Sequence, residues 1–175
     1  MALIKRYRDV APTIESGVWL AENVAVIGDV VLGEETNVWY GSVIRGDVGA
    51  VRIGRRVNVQ DLCCIHMTEK LSTSVIDDDV SLGHGVIVHG ARIERGVLVG
   101  MGSILMDNAV IGEEAIIGAG SLITAGTVIP PRVLALGRPA RVIRSLRDDE
   151  VGAGRKTALK YVRLARDQDG TVISG

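Results

Sequence analysis

The chain of 175 residues contains no Phe, and aromatic residues make up only 3% of it. A core built around large rings is therefore excluded. Proline is scarce beside glycine, with 4 residues against 22, which excludes a collagen helix because that fold needs abundant proline and glycine at every third position. Hydrophobic residues account for 47%, too many for a disordered chain. The composition predicts one domain with an aliphatic core.

The chain has no surplus of charge of one sign. Its formal net charge is −1, from 20 basic and 21 acidic residues, so we expect no nucleic-acid partner. The two cysteines are adjacent, Cys63 and Cys64, which excludes a disulfide framework and favours a reducing compartment. There is no apolar run of the length of a signal or a membrane span. We therefore expect a soluble, cytoplasmic protein without a membrane partner.

What the sequence has instead is a repeat of six residues. A Leu, Ile or Val returns every sixth position, with three interruptions. A period of six fits neither a helix nor a hairpin meander, but it fits a short strand followed by a corner. Such units stack into a parallel β-helix, and three of them make one triangular coil. The 18 anchor positions, which predict about six coils, are Leu20, Val26, Leu32, Val38, Ile44, Ile53, Val59, Ile65, Ile76, Leu82, Val88, Ile93, Val99, Leu105, Ile111, Ile117, Ile123 and Ile129.

A second column of small or β-branched residues lies four positions after most anchors. It includes Val48 and Cys63, and these residues should also face the core. Glycine directly follows six of the anchors, where its conformational freedom suits a corner.

The segments outside the repeat differ in character. Residues 1–19 are predicted to cap the open end of the β-helix, which occupies 20–139, and residues 140–175 should form a C-terminal helix and tail. The helix is predicted over 146–167, with Ser145 as its N-cap and 168–175 as a frayed tail. The arginines at 138, 141, 144 and 147 form a basic run that we expect to be solvated or paired across chains.

The three histidines fall within 24 residues of one another. His66 and His89 each follow an anchor, and those anchors are three hexads apart, or one full coil. Adjacent strands lie ~4.8 Å apart, so the two imidazoles should stack on one edge and could share a metal ion such as Zn²⁺. His84 lies on the preceding face and should not reach that ion easily. A third ligand could come from a neighbouring chain in a threefold-symmetric trimer.

Other polar residues fall in the same register. Arg45 directly follows Ile44, which places it one coil below His66. Asp61 should lie one coil below His84, with Gln60 and Asp47 nearby. A polar cluster is therefore predicted on an edge where small residues are usual. The candidate catalytic residues are Arg45, Asp47, Gln60 and Asp61, and the candidate metal ligands are His66, His84 and His89.

These segments together resemble the γ-class carbonic anhydrases and their bacterial relatives. The resemblance rests on Arg45-Gly46-Asp47, Asn58-Val59-Gln60-Asp61, His66, Gly83-His84-Gly85 and Val88-His89-Gly90, and it is supported by Gly100-Met101-Gly102-Ser103 and Gly137-Arg138-Pro139-Ala140. It implies a left-handed parallel β-helix, a C-terminal helix and a homotrimer.

The resemblance also implies roles for individual residues. His66 and His89 would bind zinc from one chain and His84 from its neighbour, although iron(II) or cobalt(II) could take the same ligands. Arg45 and Asp47 would form an interfacial ion pair, and Gln60 would hydrogen-bond to metal-bound solvent or bicarbonate. The implied reaction is the hydration of CO₂ to bicarbonate.

The sequence departs from the family pattern where a proton shuttle is expected. Val48 stands where the archetypal enzyme has a glutamate, the segment after His66 is short with Glu69 as its only carboxylate, and Ala135 replaces a tyrosine of many relatives. Weak hydration activity is therefore expected. Two alternatives stay open: an acyl-CoA thioesterase or acyltransferase on the same fold, and a non-catalytic, metal-stabilised trimeric binding module.

Overall fold

Short strands are the main regular elements of the computed structural model, which describes residues 1–168 and 171–172. One α-helix, α1, spans Ala153–Arg166. The strands are, in chain order, β1 Leu3–Lys5, β2 Thr13–Ile14, β3 Trp19–Leu20, β4 Ala25–Leu32, β5 Asn37–Val38, β6 Val43–Ile53, β7 Asn58–Val59, β8 Cys64–His66, β9 Ser74–Ile76, β10 Ser81–Leu82, β11 Ile87–His89, β12 Arg92–Ile93, β13 Leu98–Val99, β14 Ile104–Leu105, β15 Val110–Ile111, β16 Ile116–Ile117, β17 Leu122–Ile123, β18 Val128–Ile129, β19 Val133–Gly137, β20 Ala140–Ser145 and β21 Thr171–Val172.

The strands stack into the three faces of a parallel β-solenoid. The histidine face contains the first halves of β4 and β6, then β8, β11, β14 and β17. The second face contains the other halves of β4 and β6, then β9, β12, β15 and β18. The helix face runs from β3 through β5, β7, β10, β13 and β16 to β19 and β20, and α1 packs against it. Because β4 and β6 bend around a corner, they join the first two faces into one sheet.

The aliphatic anchors form the core, as the six-residue count predicts. All 18 are buried, and the most exposed of them, Ile53, shows only 3% of its surface. Neighbours in the stack come from successive coils: Ile65 pairs with Val88, and Val88 with Leu105. A column of similar aliphatic side chains thus fills each face without any large ring.

The predicted number of coils is slightly too low, since the solenoid has about seven turns rather than six. Two positions extend the count at its ends. Ile14, six residues before Leu20, pairs with Leu32, and Ala135, six residues after Ile129, pairs with Ile117. Residues 1–19 also contribute β1, which pairs with β4, so the N-terminal segment adds strands to the stack.

All three interruptions of the repeat fall at one corner, between the histidine face and the second face. They follow Ile44, Ile65 and Val88. In the first, the pairing of β4 with β6 jumps from Gly28↔Gly46 to Val30↔Val51, so residues 47–50 form a bulge within β6. The expectation that Val48 faces the core is therefore wrong: Val48 is exposed, and Val51 takes the buried place.

The C-terminal helix is shorter than predicted. Residues 140–145 form β20, antiparallel to β19, so Ser145 lies in a strand instead of capping the helix. The helix begins after Gly152, which adopts a φ of 75°. Its buried residues are small, Gly154, Ala158 and Ala165, and a Cβ at position 154 would overlap the carbonyl oxygens of Gly96 and Val97. Small residues on this side let the helix axis approach the solenoid closely. Within the described residues, no helix is both long enough and apolar enough to cross a bilayer.

The predicted frayed tail is wrong for one segment, because β21 pairs with β3 in antiparallel fashion. The rest of the predicted tail after residue 168 lies outside the described residues.

A fully buried carboxylate joins three successive coils at the corner between the second face and the helix face. Asp79 is 0% exposed and accepts hydrogen bonds from Arg56 Nε at 2.7 Å and from Arg95 Nη2 at 3.3 Å. Burial alone would raise the pKa of Asp79, but the hydrogen bonds and charges of the two arginines outweigh burial and lower it. The carboxylate is therefore held in its ionised form.

We expect the Asp79→Asn substitution to destabilise the protein by about 2–3 kcal/mol, because it leaves two arginines without their anion. Asn tolerates the positive φ of 61° at this position, so the change adds no backbone strain. Because the pKa of Asp79 is lowered in the folded protein, its contribution is present above the ordinary pKa of about 3.9 and is lost as the pH falls below it.

Denaturant titrations at neutral and acidic pH measure this effect. The control is Asp77→Asn, since Asp77 pairs with Arg92 at the surface at 3.0 Å and should cost less than about 1 kcal/mol. Equal losses in the two variants would contradict the prediction.

Candidate functional site

His66 and His89 lie side by side on the outside of the histidine face. They are direct partners in the pairing of β8 with β11, as the repeat register predicts. Each histidine directly follows an inward-facing anchor. Because side chains alternate between the two sides of a strand, both imidazoles point outward. Their ring centroids are 5.4 Å apart, with an angle of 58° between the planes. Two imidazoles bound to one tetrahedral zinc at ~2.0–2.1 Å place their centroids roughly 5 Å apart, so the pair fits a single ion.

His84 stands at the corner between the helix face and the histidine face. Its side chain is 47% exposed, and its Nδ1 lies 2.8 Å from Asp61 Oδ2. Asp61 is one coil below His84, because Leu82 pairs with Val59. Among the described residues, no three His, Cys, Asp or Glu side chains come close enough together to hold a metal ion. Within one chain, therefore, His84 does not join the pair formed by His66 and His89.

Asp47 connects His66 with Arg45. Its Oδ1 accepts a hydrogen bond from His66 Nε2 at 2.9 Å, and its other oxygen contacts the Arg45 guanidinium. Burial would raise the pKa of Asp47, but the bonds from His66 and Arg45 outweigh it and lower the pKa. The bulge at 47–50 brings Asp47 here, since the regular pairing of β6 with β4 is interrupted directly after Gly46. The hydrogen bond to Asp47 leaves Nδ1 of His66 as the ring's open nitrogen.

Gln60 is nearly buried, at 6% exposure, and its amide is fixed by a chain of side-chain hydrogen bonds. Gln60 Nε2 donates to Asn58 Oδ1 at 2.9 Å, and Asn58 Nδ2 donates to Asn37 Oδ1 at 2.8 Å. Asn37 Oδ1 also accepts from Trp39 Nε1 at 2.9 Å. Because Asn37 and Asn58 are partners in adjacent coils, the sheet register sets this chain and thereby the orientation of the Gln60 amide.

Sequence reasoning missed Asp107, a carboxylate that is 8% exposed. Asp107 Oδ2 lies 3.3 Å from His89 Nδ1. The signal was available in the repeat: Leu105 pairs with Val88, so Asp107 comes one coil above the residue that follows His89. With Asp107 included, each of the three histidines has a carboxylate on one of its ring nitrogens. A carboxylate in this place fixes the tautomer of the ring and makes its other nitrogen a better metal ligand.

Several residues noted in the sequence lie outside this cluster. Cys63 is buried in the core, and burial raises the pKa of its thiol to about 12. Arg144 and Arg147 pair with Glu150, at 2.6 Å and 2.9 Å. The basic run is thus partly neutralised within the chain.

Comparison with known proteins places these features in a family. Residues 90–125 match the family model described as bacterial transferase hexapeptide (six repeats). A probable carbonic anhydrase of Methanocaldococcus jannaschii is 51% identical over 152 residues, which cover 87% of this chain and 95% of that protein. A carbonic anhydrase of Geobacillus kaustophilus is 46% identical over 160 residues, covering 91% of this chain and 87% of that protein.

A solved structure gives a close match to the fold. It is a Bacillus cereus protein to which an acetyltransferase activity is ascribed, with a TM-score of 0.92 at 44% identity, covering 95% of this chain and 96% of that one.

Proposed function

Because the chain belongs to the γ-type carbonic anhydrase family of hexapeptide-repeat proteins, we propose that it catalyses the reversible hydration of CO₂ to bicarbonate at a metal site shared between the subunits of a homotrimer. The observation that carries the proposal is the stacked pair of His66 and His89, whose 5.4 Å separation suits two ligands of one ion. The relatives named as carbonic anhydrases supply the reaction class.

The donor set fits a zinc ion with three imidazole ligands. We assign His66 and His89 of one chain and His84 of its neighbour, because His84 is exposed at a corner and free of the other two in its own chain. Such an ion makes a hydroxide nucleophile available near neutral pH. Iron(II) and cobalt(II) would accept the same ligands.

The chain's own residues prepare the site. Asp47, held by Arg45, fixes the ring of His66, and Asp61 fixes His84 through Nδ1. We assign Gln60 to hydrogen-bond to solvent or bicarbonate, since its amide is oriented by Asn58 and is not free to rotate. Val48 and the exposed Glu69 provide no buried proton acceptor beside this cluster, so hydration should be slow for a member of this family.

The histidine face supports the trimer. Its outward side chains form what we call the apolar ladder, which runs through successive coils beside His66 and His89: Ala25, Val43, Cys64, Ile87, Ile104 and Leu122. On the second face the corresponding column contains Arg52 and Arg92, both in surface ion pairs with aspartates. The helix face is covered by α1. The apolar ladder is thus the face most suited to another copy of the chain, and it adjoins the incomplete site.

The interface would give the active site its third ligand and exclude water from the apolar ladder.

We also propose a cytoplasmic location, because both cysteines are free thiols.

Acyl transfer is the second candidate function, since the matching family model is named for bacterial transferases and a close structural match carries an acetyltransferase assignment. A metal-stabilised trimer without catalysis is the third candidate. Acyl transfer does not account for three histidines that each have a carboxylate partner, whereas the metal-stabilised trimer would use the same ligands and differs only in lacking hydration activity.

One experiment separates these candidates. Protein purified without oxygen is expected to carry one metal ion per chain and to hydrate CO₂. Chelation should abolish hydration, and zinc should restore it, because the nucleophile depends on the ion. Hydrolysis and transfer of the acetyl group of acetyl-CoA are assayed in parallel. Acyl transfer that survives chelation would favour the transferase, and full metal content without hydration would favour the binding module.

A further inference from the structure

Asp107 occupies a buried position at the corner that follows the histidine face. Its carboxylate receives three hydrogen bonds from the segment after His66: from Thr68 Oγ1 at 3.0 Å, from the Thr68 backbone N–H at 3.3 Å and from the Ser72 hydroxyl. The fourth contact is His89 Nδ1 at 3.3 Å. Asp107 thus joins the segment after one proposed metal ligand to the ring of the other.

The donors decide which nitrogen of His89 carries the hydrogen. The Thr68 backbone N–H can only donate, and the Thr68 and Ser72 hydroxyls also donate to Asp107, so both oxygens of this group accept hydrogen bonds as a carboxylate does. An ionised carboxylate only accepts hydrogen bonds. The hydrogen between the two groups must therefore sit on His89 Nδ1, which leaves the lone pair of Nε2 free.

The backbone is shaped to admit this contact. Gly90 has a φ of 68°, and a Cβ at that position would overlap both the Ser72 hydroxyl and Asp107 Oδ1. Glycine both adopts this positive φ without strain and leaves room for the two oxygen atoms. The segment itself is closed by a turn in which the backbone N–H groups of Leu71 and Ser72 donate to the Thr68 carbonyl at 3.2 and 3.3 Å. The carboxylate is therefore enclosed from several sides and does not merely lie near the ring.

We propose that Asp107 is a positioning residue for the metal site: it holds His89 in the tautomer that presents Nε2, and it couples the orientation of that ring to the 68–72 segment. The part that concerns the metal rests on the proposed function. The part that concerns the tautomer depends only on contacts within one chain. The two parts can therefore fail separately.

The tautomer is measured by ¹⁵N NMR on full-length protein labelled at histidine. Spectra are recorded in alkaline buffer after chelation, and His89 is assigned by comparison with His89→Ala. We expect the hydrogen of His89 on Nδ1 in the wild type and its transfer, in whole or in large part, to Nε2 in Asp107→Ala. An unchanged tautomer in Asp107→Ala would overturn the proposal whether or not the protein binds zinc.

Zinc affinity gives the second readout, by competition with a chromophoric chelator. We expect Asp107→Ala to weaken binding by about 10- to 100-fold and Asp107→Asn to weaken it less, because the Asn carbonyl can still accept from Nδ1. Asp77→Ala, at a surface carboxylate paired with Arg92, should bind zinc as the wild type does. Loss of thermal stability with unchanged zinc affinity would show a structural role only.

If Asp107→Ala does not fold, Ser72→Ala tests the same coupling, because it removes one hydrogen bond and leaves the carboxylate in place. It should shift the His89 tautomer in the same direction to a smaller extent, and no shift would contradict the coupling. If wild-type protein binds no zinc, the proposed function fails, while the tautomer measurement still decides the role of Asp107.

Discussion

Mixing His84→Ala chains with His89→Ala chains is expected to restore about a quarter of the wild-type metal content and CO₂ hydration, although each variant alone should have almost none. The reason is that the proposed site takes its stacked pair from one chain and its third ligand from the next. A trimer containing both variants has one interface at which an intact pair meets an intact His84. Random assembly of equal amounts makes about three quarters of the trimers mixed, and about one site in three is complete in each.

The measurement uses two affinity tags, so that mixed trimers are purified by successive columns and analysed for metal and activity. In this purified fraction, from which the homotrimers are removed, about one third of the wild-type values is expected. The matched control mixes His66→Ala with His89→Ala. Both of these lesions fall in the stacked pair, so no mixed trimer can assemble a complete site, and nothing should be recovered. Equal recovery in the two mixtures, or none in either, would contradict a ligand set divided in this way.

The second large effect concerns the apolar ladder. Ile87 is 36% exposed at the centre of this column, between Cys64 and Ile104. We expect Ile87→Asp to convert the proposed trimer into monomers of 18.6 kDa, because a trimer would bury three unpaired carboxylates against apolar surface. Metal content should fall as the trimer dissociates, since a monomer lacks the His84 ligand of a neighbouring chain.

Sedimentation velocity and metal analysis test this prediction together. Val128→Asp is the control, because Val128 is also an outward apolar residue, 67% exposed, but lies on the second face. It should leave the trimer and its metal intact. Circular dichroism establishes that both variants fold. A trimer that persists in Ile87→Asp, or is lost equally in Val128→Asp, would place the interface elsewhere.

Much of this architecture could be predicted because a solenoid converts spacing into position. The distance from Ile65 to Val88 in the chain is irregular, yet counting anchors by threes still brings His66 next to His89. The same counting places Asp61 under His84. These predictions needed no knowledge of side-chain conformation, since the hydrogen-bonded ladder fixes the register.

Other features depended on which of two local structures is more stable, and the sequence pattern alone does not decide this. Ser145 has the chemistry of an N-cap, but pairing of 140–145 with β19 satisfies more backbone groups, and the helix starts only after Gly152. The repeat places Asp107 near His89, but its contacts with Thr68 and Ser72 depend on the conformation of a loop that the repeat does not describe.

The clustering of every repeat interruption at one corner has a consequence for how such a protein can change. At the other two corners the spacing between anchors is always six residues. An extra residue there would shift the register of the strand that follows. The interrupted corner instead tolerates length changes, because the pairing resumes at Ile53 and Ile76 after extra residues and at Ile93 after one residue fewer. New chemistry can therefore be grafted at this edge by exchanging loops, while the scaffold that aims the histidines keeps its shape.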